Sequence, residues 1–395
     1  MDVPLLDLQP QMTRFREEIL QAVTGVIDST RYILGPQVTE LEQAIADYCE
    51  VEDAVGVSSG TDALLVSLMA LEIGPGDLVL TTPYTFFATM GSIFRVGAMP
   101  VFADVEKRSL NIDPDRMAEL LEEDRRGECR IKAIMPVHLY GQCADMERIM
   151  ALAAQYGIPI IEDAAQAIGA ECPLVDQDGS VQWRRAGSMG LTGCFSFFPS
   201  KNLGGIGDGG MVVTRDHDFA ELLRSYRNHG AEPKYYHSHI GGNFRLDPIQ
   251  ASVLSVKLPH LEQWHQQRRA NSSVYHNLFE QAGLTGDPVI LPESVYSNID
   301  GAEVHDFHIY NQFIIRVPRR DALREYLQQR SIGCEVYYPV CLHEQQCLAE
   351  YGYGDLSFPV AEQAAGDSLA LPIYPELSDE QQAYVVETIA GFFQA

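Results

Sequence analysis

Between Ala54 and Glu162 the chain repeats one pattern, and that pattern narrows what it can fold into. Short, almost continuously apolar runs cover Ala54 to Ser58, Leu78 to Thr82, Pro100 to Ala103, Lys132 to Val137 and Ile158 to Glu162. Between them lie segments with apolar residues at helical spacing: Ala63 to Leu71, Phe87 to Val96, Pro114 to Glu123 and Met146 to Tyr156. A strand that is apolar on both faces must be covered on both faces, and a helix after each strand supplies both the cover and the crossover of parallel pairing. Two more strand runs follow, Cys194 to Phe198 and Gly210 to Thr214. The expected fold class is α/β, with a mostly parallel central sheet of about seven strands flanked by helices.

The flanking segments differ. Met12 to Ser29 carries an apolar stripe (Phe15, Ile19, Ala22, Val23, Val26, Ile27), and a turn, Arg31-Tyr-Ile-Leu-Gly-Pro36, leads into a second helix, Val38 to Tyr48. Cys172 to Arg185 holds Gln177-Asp-Gly-Ser180 between apolar residues and reads as a protruding hairpin with an Asp-Gly turn. A helix is expected over Phe219 to Arg227, and a long helical stretch, Asp247 to Glu280, is broken at Pro259. That break divides a large domain, 1–258, from a smaller α+β domain, 259–395, on which the N-terminal helix is free to pack. The smaller domain reads as a strand (Ile309 to Val317), a helix (Ala322 to Arg330), a strand (Cys334 to Tyr338) and a last helix opened by Ser378-Asp-Glu-Gln381.

Charge excludes some functions. The chain has 28 Lys+Arg against 55 Asp+Glu, a net charge of −27, which repels nucleic acid and anionic membrane surfaces. No basic run exceeds Arg268-Arg269 or Arg319-Arg320. The N-terminus lacks the features of a secretion signal, and no apolar run reaches the roughly 18 residues of a membrane span. The eight cysteines show neither C-x-x-C spacing nor a zinc-like Cys/His pattern. They read as free thiols of a reducing compartment, so a cytoplasmic protein without a metal is expected.

Four stretches carry chemistry. Lys201 lies in Cys194-Phe-Ser-Phe-Phe-Pro-Ser-Lys201-Asn-Leu-Gly, between a strand end and a glycine-rich turn, with Ser196 and Ser200 placed to donate to a phosphate. Upstream, Ser58-Ser-Gly60-Thr61-Asp62 joins a strand to a helix: Gly60 admits a close ligand, Thr61 can cap the helix, and the helix N-terminus suits an anion. An ordinary capped turn would read the same way. Thr82-Pro-Tyr-Thr85-Phe86 puts an aromatic at the next strand end, where it can stack on a flat ring or fill the core. In Ile160-Ile-Glu162-Asp163-Ala-Ala-Gln166 an apolar strand runs into two acids at the carboxyl edge, where open α/β sheets bind ligands. A carboxylate strand followed by a lysine strand is the order that pyridoxal phosphate requires: the acid keeps the pyridine nitrogen protonated and the lysine holds the aldehyde as a Schiff base.

These residues resemble the DegT/StrS-type aminotransferases of sugar biosynthesis, pyridoxal phosphate enzymes of the aspartate aminotransferase superfold (fold type I). The resemblance spans nearly the whole chain. It runs from Tyr32-Ile-Leu-Gly-Pro36 and Gly60-Thr-Asp-Ala-Leu64 through His138-Leu-Tyr-Gly-Gln142, Glu162-Asp-Ala-Ala-Gln166 and Phe195-Ser-Phe-Phe-Pro-Ser-Lys201. It continues to Asn243-Phe-Arg-Leu-Asp247 and Tyr338-Pro-Val-Cys-Leu-His343. It implies that Lys201 carries the cofactor and Asp163 pairs with the pyridine nitrogen. Gln166 lies near the ring hydroxyl and Phe86 on the ring face, while Gly60, Thr61 and Ser196 hold the phosphate. It also implies a homodimer, with Asn243 reaching the partner subunit's cofactor, and a substrate region that includes Tyr32, Arg245, Tyr338 and His343. The implied reaction moves an amino group from L-glutamate, through pyridoxamine phosphate, to a nucleotide-linked keto sugar, a 3-keto hexose rather than a 4-keto one. Arg31, Arg245 and Lys234 are candidates to meet a diphosphate.

Two features depart from that pattern: the hairpin is longer than in many relatives and reads as a tolerated surface insertion, and Cys341 stands where relatives often have a proline. Related chains act as dehydratases with histidine at the lysine position, which Lys201 opposes. Others are named as regulators, which the full cofactor set opposes. A cysteine desulfurase would need a mobile reactive thiol, for which Cys341 is the candidate.

Overall fold

The computed structural model describes residues 1–175, 178–231, 233 and 235–394, so Gln177 of the hairpin and Lys234 lie outside the described residues. Helices α1 (Gln9–Ser29) and α2 (Pro36–Cys49) precede the alternating region. That region runs β1 (Asp53–Val57), α3 (Gly60–Ala70), β2 (Leu78–Thr81), α4 (Phe87–Arg95), β3 (Met99–Phe102), α5 (Pro114–Arg126), β4 (Ile131–Ile134), α6 (Met146–Tyr156) and β5 (Ile161–Asp163). The hairpin β6 (Glu171–Val175) and β7 (Val181–Arg185) follows, then β8 (Thr192–Ser196), β9 (Gly210–Thr214), α7 (His217–Arg227), α8 (Pro248–Lys257) and α9 (Leu261–Gln281). Last come β10 (Phe313–Arg316), α10 (Arg320–Gln328), α11 (Pro359–Asp367), β11 (Ser368–Leu371) and α12 (Asp379–Gln394).

The fold is α/β with mixed sheets. Strands β3, β2 and β4 pair in parallel. A second sheet has the order β1-β9-β8-β5, in which β5 and β8 are parallel and β9 runs against both neighbours. The reversal has a simple cause. The link from β8 to β9 holds the glycine-rich turn and no helix, so the chain doubles back where a parallel pair would need a long crossover. Parallel bridges Ile134–Ile160 and Val137–Asp163 join the facing edges of the two sheets.

Two large apolar cores anchor the chain. In the first, α1 buries Phe15 and Ile19, and the Phe15 ring meets Trp264 edge-on at 6.0 Å. Ile27, expected in that stripe, is half exposed because it follows Val26 around the helix to the solvent side. The second core gathers Tyr275, Phe279, Phe313, Leu323 and Val385. Residues ahead of α1, not α1 itself, reach it: Val3 lies in that core, and its N–H donates to the Ser331 carbonyl at 2.9 Å. Helix α9 begins in the first core with Leu261 and Trp264 and ends in the second with Tyr275 and Phe279.

Two expectations of local structure need correction. Cys334 to Tyr338 alternates like a strand but makes a single bridge, Glu335 to Ala370; Cys334 and Val336 join the second core, and Tyr337 and Tyr338 line a cavity. The hairpin pairs as expected, with Val175 opposite Val181, but it is no loose insertion. Trp183 stacks on His305 with ring centroids 4.3 Å apart, and Glu171 and Asp306 exchange backbone and carboxylate hydrogen bonds of 3.0 and 2.6 Å. At the far end, Ser378 and Gln381 form the expected capping box of α12, each side chain accepting from the other's N–H, at 3.3 and 3.0 Å.

Candidate active site

Strand β5 ends in two acids that face different ways, because successive strand residues point to opposite faces. Glu162 is fully buried and accepts from the N–H groups of Gly187, Met189 and Gly190 at 2.7, 2.7 and 2.5 Å. His138 Nδ1 accepts from Ala144 N–H, so its Nε2 carries the proton and donates to Glu162 at 2.8 Å. Glu162 is thus consumed by structure. Asp163 points to the other side, into a cavity of about 460 Å³. Its Oδ2 accepts from Thr89 Oγ1 at 2.7 Å and its Oδ1 from Ala165 N–H at 3.3 Å. Burial raises its pKa, and the two hydrogen bonds and the nearby Lys201 oppose that rise.

Lys201 enters the same cavity from the turn after β8. That turn is held tightly: Lys201 N–H donates to Phe198 O, Gly205 N–H to Phe197 O and Phe197 N–H to Gly209 O, each at 2.8 Å. Burial lowers the Lys201 amine from 10.5 to about 8, with the Asp163 charge pulling the other way. A lysine in this state is a competent nucleophile and proton carrier near neutral pH.

The N-terminus of α3 forms the cavity floor. The cap is Ser59, whose Oγ accepts from Asp62 N–H at 3.0 Å, and not Thr61, which lies inside the first turn. Thr61 and Gly60 keep N–H groups that no helical carbonyl can reach, an arrangement suited to an anion. Gly60 is required by contact: a Cβ there would sit 2.7 Å from Ser196 Cβ.

The wall opposite comes from three places. Phe86 stands ahead of α4 with its ring 57 % exposed at the mouth, 6.0 Å from the Tyr338 ring. Gln166 donates to the Tyr338 hydroxyl at 3.0 Å and accepts from Tyr140 N–H at 2.7 Å. Behind it, the hydroxyls of Tyr84 and Tyr140 converge on the Tyr337 carbonyl, and Tyr84 also accepts from Tyr338 N–H at 3.3 Å. Neither buried tyrosine stood out in the sequence, because nothing local separates them from core aromatics. The pairing of Thr89 with Asp163 was equally hidden.

The structure therefore brings together Gly60, Thr61, Phe86, Asp163, Gln166, Ser196, Lys201 and Tyr338. It does not bring in the others. Asn243 is exposed on the loop beyond α7, and Arg245 donates to Asn228 at 2.9 Å. Tyr32, half exposed, donates to the Ile27 carbonyl at 3.2 Å, and Arg31 is exposed beside it. His343 is buried edge-on to Phe358, 4.8 Å between centroids, with Glu362 3.4 Å away.

Cys341 is fully buried and its thiol is pushed up to about 12 by burial, the opposite of a reactive cysteine. Among the described residues one group could share an ion: Glu262, His265 and Asp306. Its two acids already face guanidinium groups, Arg185 3.1 Å from Glu262 and Arg269 2.6 Å from Asp306, which a cation would have to compete against.

A family model described as the DegT/DnrJ/EryC1/StrS aminotransferase family matches residues 13–390. The chain belongs to this family. It is therefore an aminotransferase acting on sugars, and a pyridoxal phosphate enzyme. It is 46% identical over 394 residues to a protein named pleiotropic regulatory protein from Geobacillus stearothermophilus, covering 100% of this chain and 99% of the relative. It is 41% identical over 387 residues to a UDP-N-acetyl-3-dehydro-alpha-D-glucosamine 3-aminotransferase of Acidithiobacillus ferrooxidans, covering 98% and 97%. Among solved structures it resembles S. venezuelae DesV, captured with a ketimine intermediate, with a TM-score of 0.88 and 38% identity over 100% and 99% of the two chains. The aminotransferase has residues that fit its cofactor. It pairs a buried acid with a lysine in one cavity, has an aromatic face at the mouth, and opens a helix N-terminus where Gly60, lacking a Cβ, lies close against Ser196.

Proposed function

We propose that this aminotransferase moves an amino group from L-glutamate to the 3-keto group of a nucleotide-linked hexose. The observation that carries the reading is the convergence of Lys201 and Asp163 on one cavity, in a chain so similar to a named sugar 3-aminotransferase. The 4-keto alternative lacks comparable support from those relatives. A purely regulatory role, suggested by the name of the Geobacillus relative, would leave the buried acid, the lowered lysine and the open helix end without a use.

Bound pyridoxal phosphate supplies an aldehyde that carries the amino group and a ring that takes up electrons. The residues of the chain do the rest. Gly60 and Thr61 N–H groups and the Ser196 hydroxyl would hold the phosphate at the end of α3. Phe86 would cover the ring face, with Gln166 near the ring hydroxyl. Asp163 would keep the proton on the ring nitrogen, and Thr89 fixes the rotamer of that carboxylate. Lys201 would tether the aldehyde, give way to the donor amine, and then carry a proton from the donor's α-carbon. In the second half it returns a proton to the sugar carbon. An amine lowered to about 8 is partly neutral at physiological pH, and so can accept the proton it must later give back.

We further propose a homodimer with shared sites. Asn243 and Arg245 stand outside their own cavity, and Asn243 is exposed, as a residue serving a partner's site would be in a single chain. We also read the two abutting sheets as one seven-stranded sheet, β3-β2-β4-β5-β8-β9-β1. The eight free thiols suit a reducing compartment, and we place the enzyme in the cytoplasm. No described helix is long and apolar enough to cross a membrane.

The test is a panel of nucleotide-linked 3-keto and 4-keto sugars, each followed by glutamate-dependent turnover. The reading expects conversion of a 3-keto substrate, and complete inactivity across the panel would overturn it.

A further inference from the structure

We infer that Gln312 determines substrate specificity, its side-chain amide reading a hydroxyl of the sugar. The inference rests on the proposed function and deepens it. Gln312 directly precedes β10 and lines the cavity with Lys201, Asp163 and Tyr338. Its Oε1 is buried without a hydrogen-bond partner among the described residues. A buried acceptor left unpaired is costly, and at the wall of a binding cavity its natural partner is a ligand.

The backbone that carries Gln312 is tied to the site. Its N–H donates to the Tyr140 carbonyl at 3.4 Å. The preceding Asn311 donates its side-chain amide to Asn202 at 2.9 Å, and Asn202 donates to the Ile309 carbonyl at 3.2 Å. Asn202 is the residue after Lys201, so the segment carrying Gln312 and the turn carrying the lysine are bolted together. The Gln312 backbone is therefore tied to the turn that carries the reacting lysine.

The chemistry of the amide selects the ligand class. The charged residues lining the cavity are Asp163, Lys201 and Asp208, two acids and one base. A carboxylate of the amino donor is better met by a cation than by a neutral amide beside two acids. A sugar hydroxyl both donates and accepts, and so does a primary amide, whichever way it is turned. Gln312 accordingly matches the polyol half of the reaction and not the amino-acid half.

The experiment separates the two half-reactions of the holoenzyme. With Gln312→Leu, kcat/KM for the keto sugar should fall about 10-fold, chiefly through KM, while the glutamate half-reaction stays within about twofold. The absorbance of bound cofactor should not change. The wild type should also prefer the sugar over analogues lacking one ring hydroxyl by about 10-fold at one position, and Gln312→Leu should lose that preference. Calorimetry with the amino-sugar product and the pyridoxamine phosphate form of the enzyme, which cannot react with it, should show the same loss of affinity. If Gln312→Leu does not fold, Gln312→Met, closer in length, carries the test. Equal losses in both half-reactions, or none in either, overturn the inference. A wild type inactive with every nucleotide-linked keto sugar instead overturns the reading of function, so the two failures are distinct.

Discussion

Glu162 and Asp163 are neighbours of the same charge with opposite duties. Glu162 is saturated by three N–H groups and His138, whereas Asp163 keeps two hydrogen bonds and a face on the cavity. Thr89 is what keeps Asp163 aimed, so Thr89→Val should lower kcat by about 10-fold while leaving KM for glutamate nearly unchanged. Steady-state kinetics with both parameters decide this, and an unchanged kcat removes Thr89 from the positioning of Asp163. The Lys201 amine, lowered to about 8, is protonated below that pH and a free nucleophile above it. The rate at which apoenzyme captures pyridoxal phosphate should therefore rise with a midpoint near pH 8, about two and a half units below that of an exposed lysine. Stopped-flow absorbance against pH checks it. Asp163→Asn should move that midpoint down, since the carboxylate favours the protonated amine. Lys201→Ala should cost more than about 10³-fold in turnover with the circular dichroism spectrum retained.

Helix α3 shows how one end of an element builds a site. Ser59 takes the capping duty, which leaves Gly60 and Thr61 free for a ligand. Gly60→Ala would drive a Cβ into Ser196, so cofactor retention should fall at least tenfold with the rest of the fold intact. Equilibrium dialysis of pyridoxal phosphate measures that loss, and unaltered retention would show that Gly60 is not part of the phosphate site. Elements of this kind were well marked in the sequence. Met146–Tyr156 and Gly210–Thr214 end where periodicity and turn residues placed them. The helix cap was misassigned because Ser58, Ser59 and Thr61 all have the right chemistry, and only backbone geometry separates them. Cys334 to Tyr338 misled for a different reason. Alternation of apolar and polar residues states which faces are buried, not whether another strand lies alongside. The site residues on strand ends were readable because acids, a lysine and glycines are rare there. Tyr84, Tyr140 and Gln312 were not, because their meaning comes from contacts with residues far along the chain.

The whole chain was recognisable because many short motifs occur in one order. What that order leaves open is whether two copies share their sites. Subunits carrying Lys201→Ala, mixed with subunits carrying Asn243→Ala, should recover part of the wild-type activity that each lacks alone, because one of the two sites of each hybrid dimer, or about a quarter of all sites after random exchange, would be intact. An absence of recovery in exchanged, sedimentation-verified dimers would place Asn243 outside any shared site. Within one copy, helix α9 joins the two cores without a glycine or proline anywhere between Leu261 and Gln281. A rod of that kind transmits force but does not fold like a hinge. Entry and exit of a bulky substrate are therefore not served by a bend of this helix.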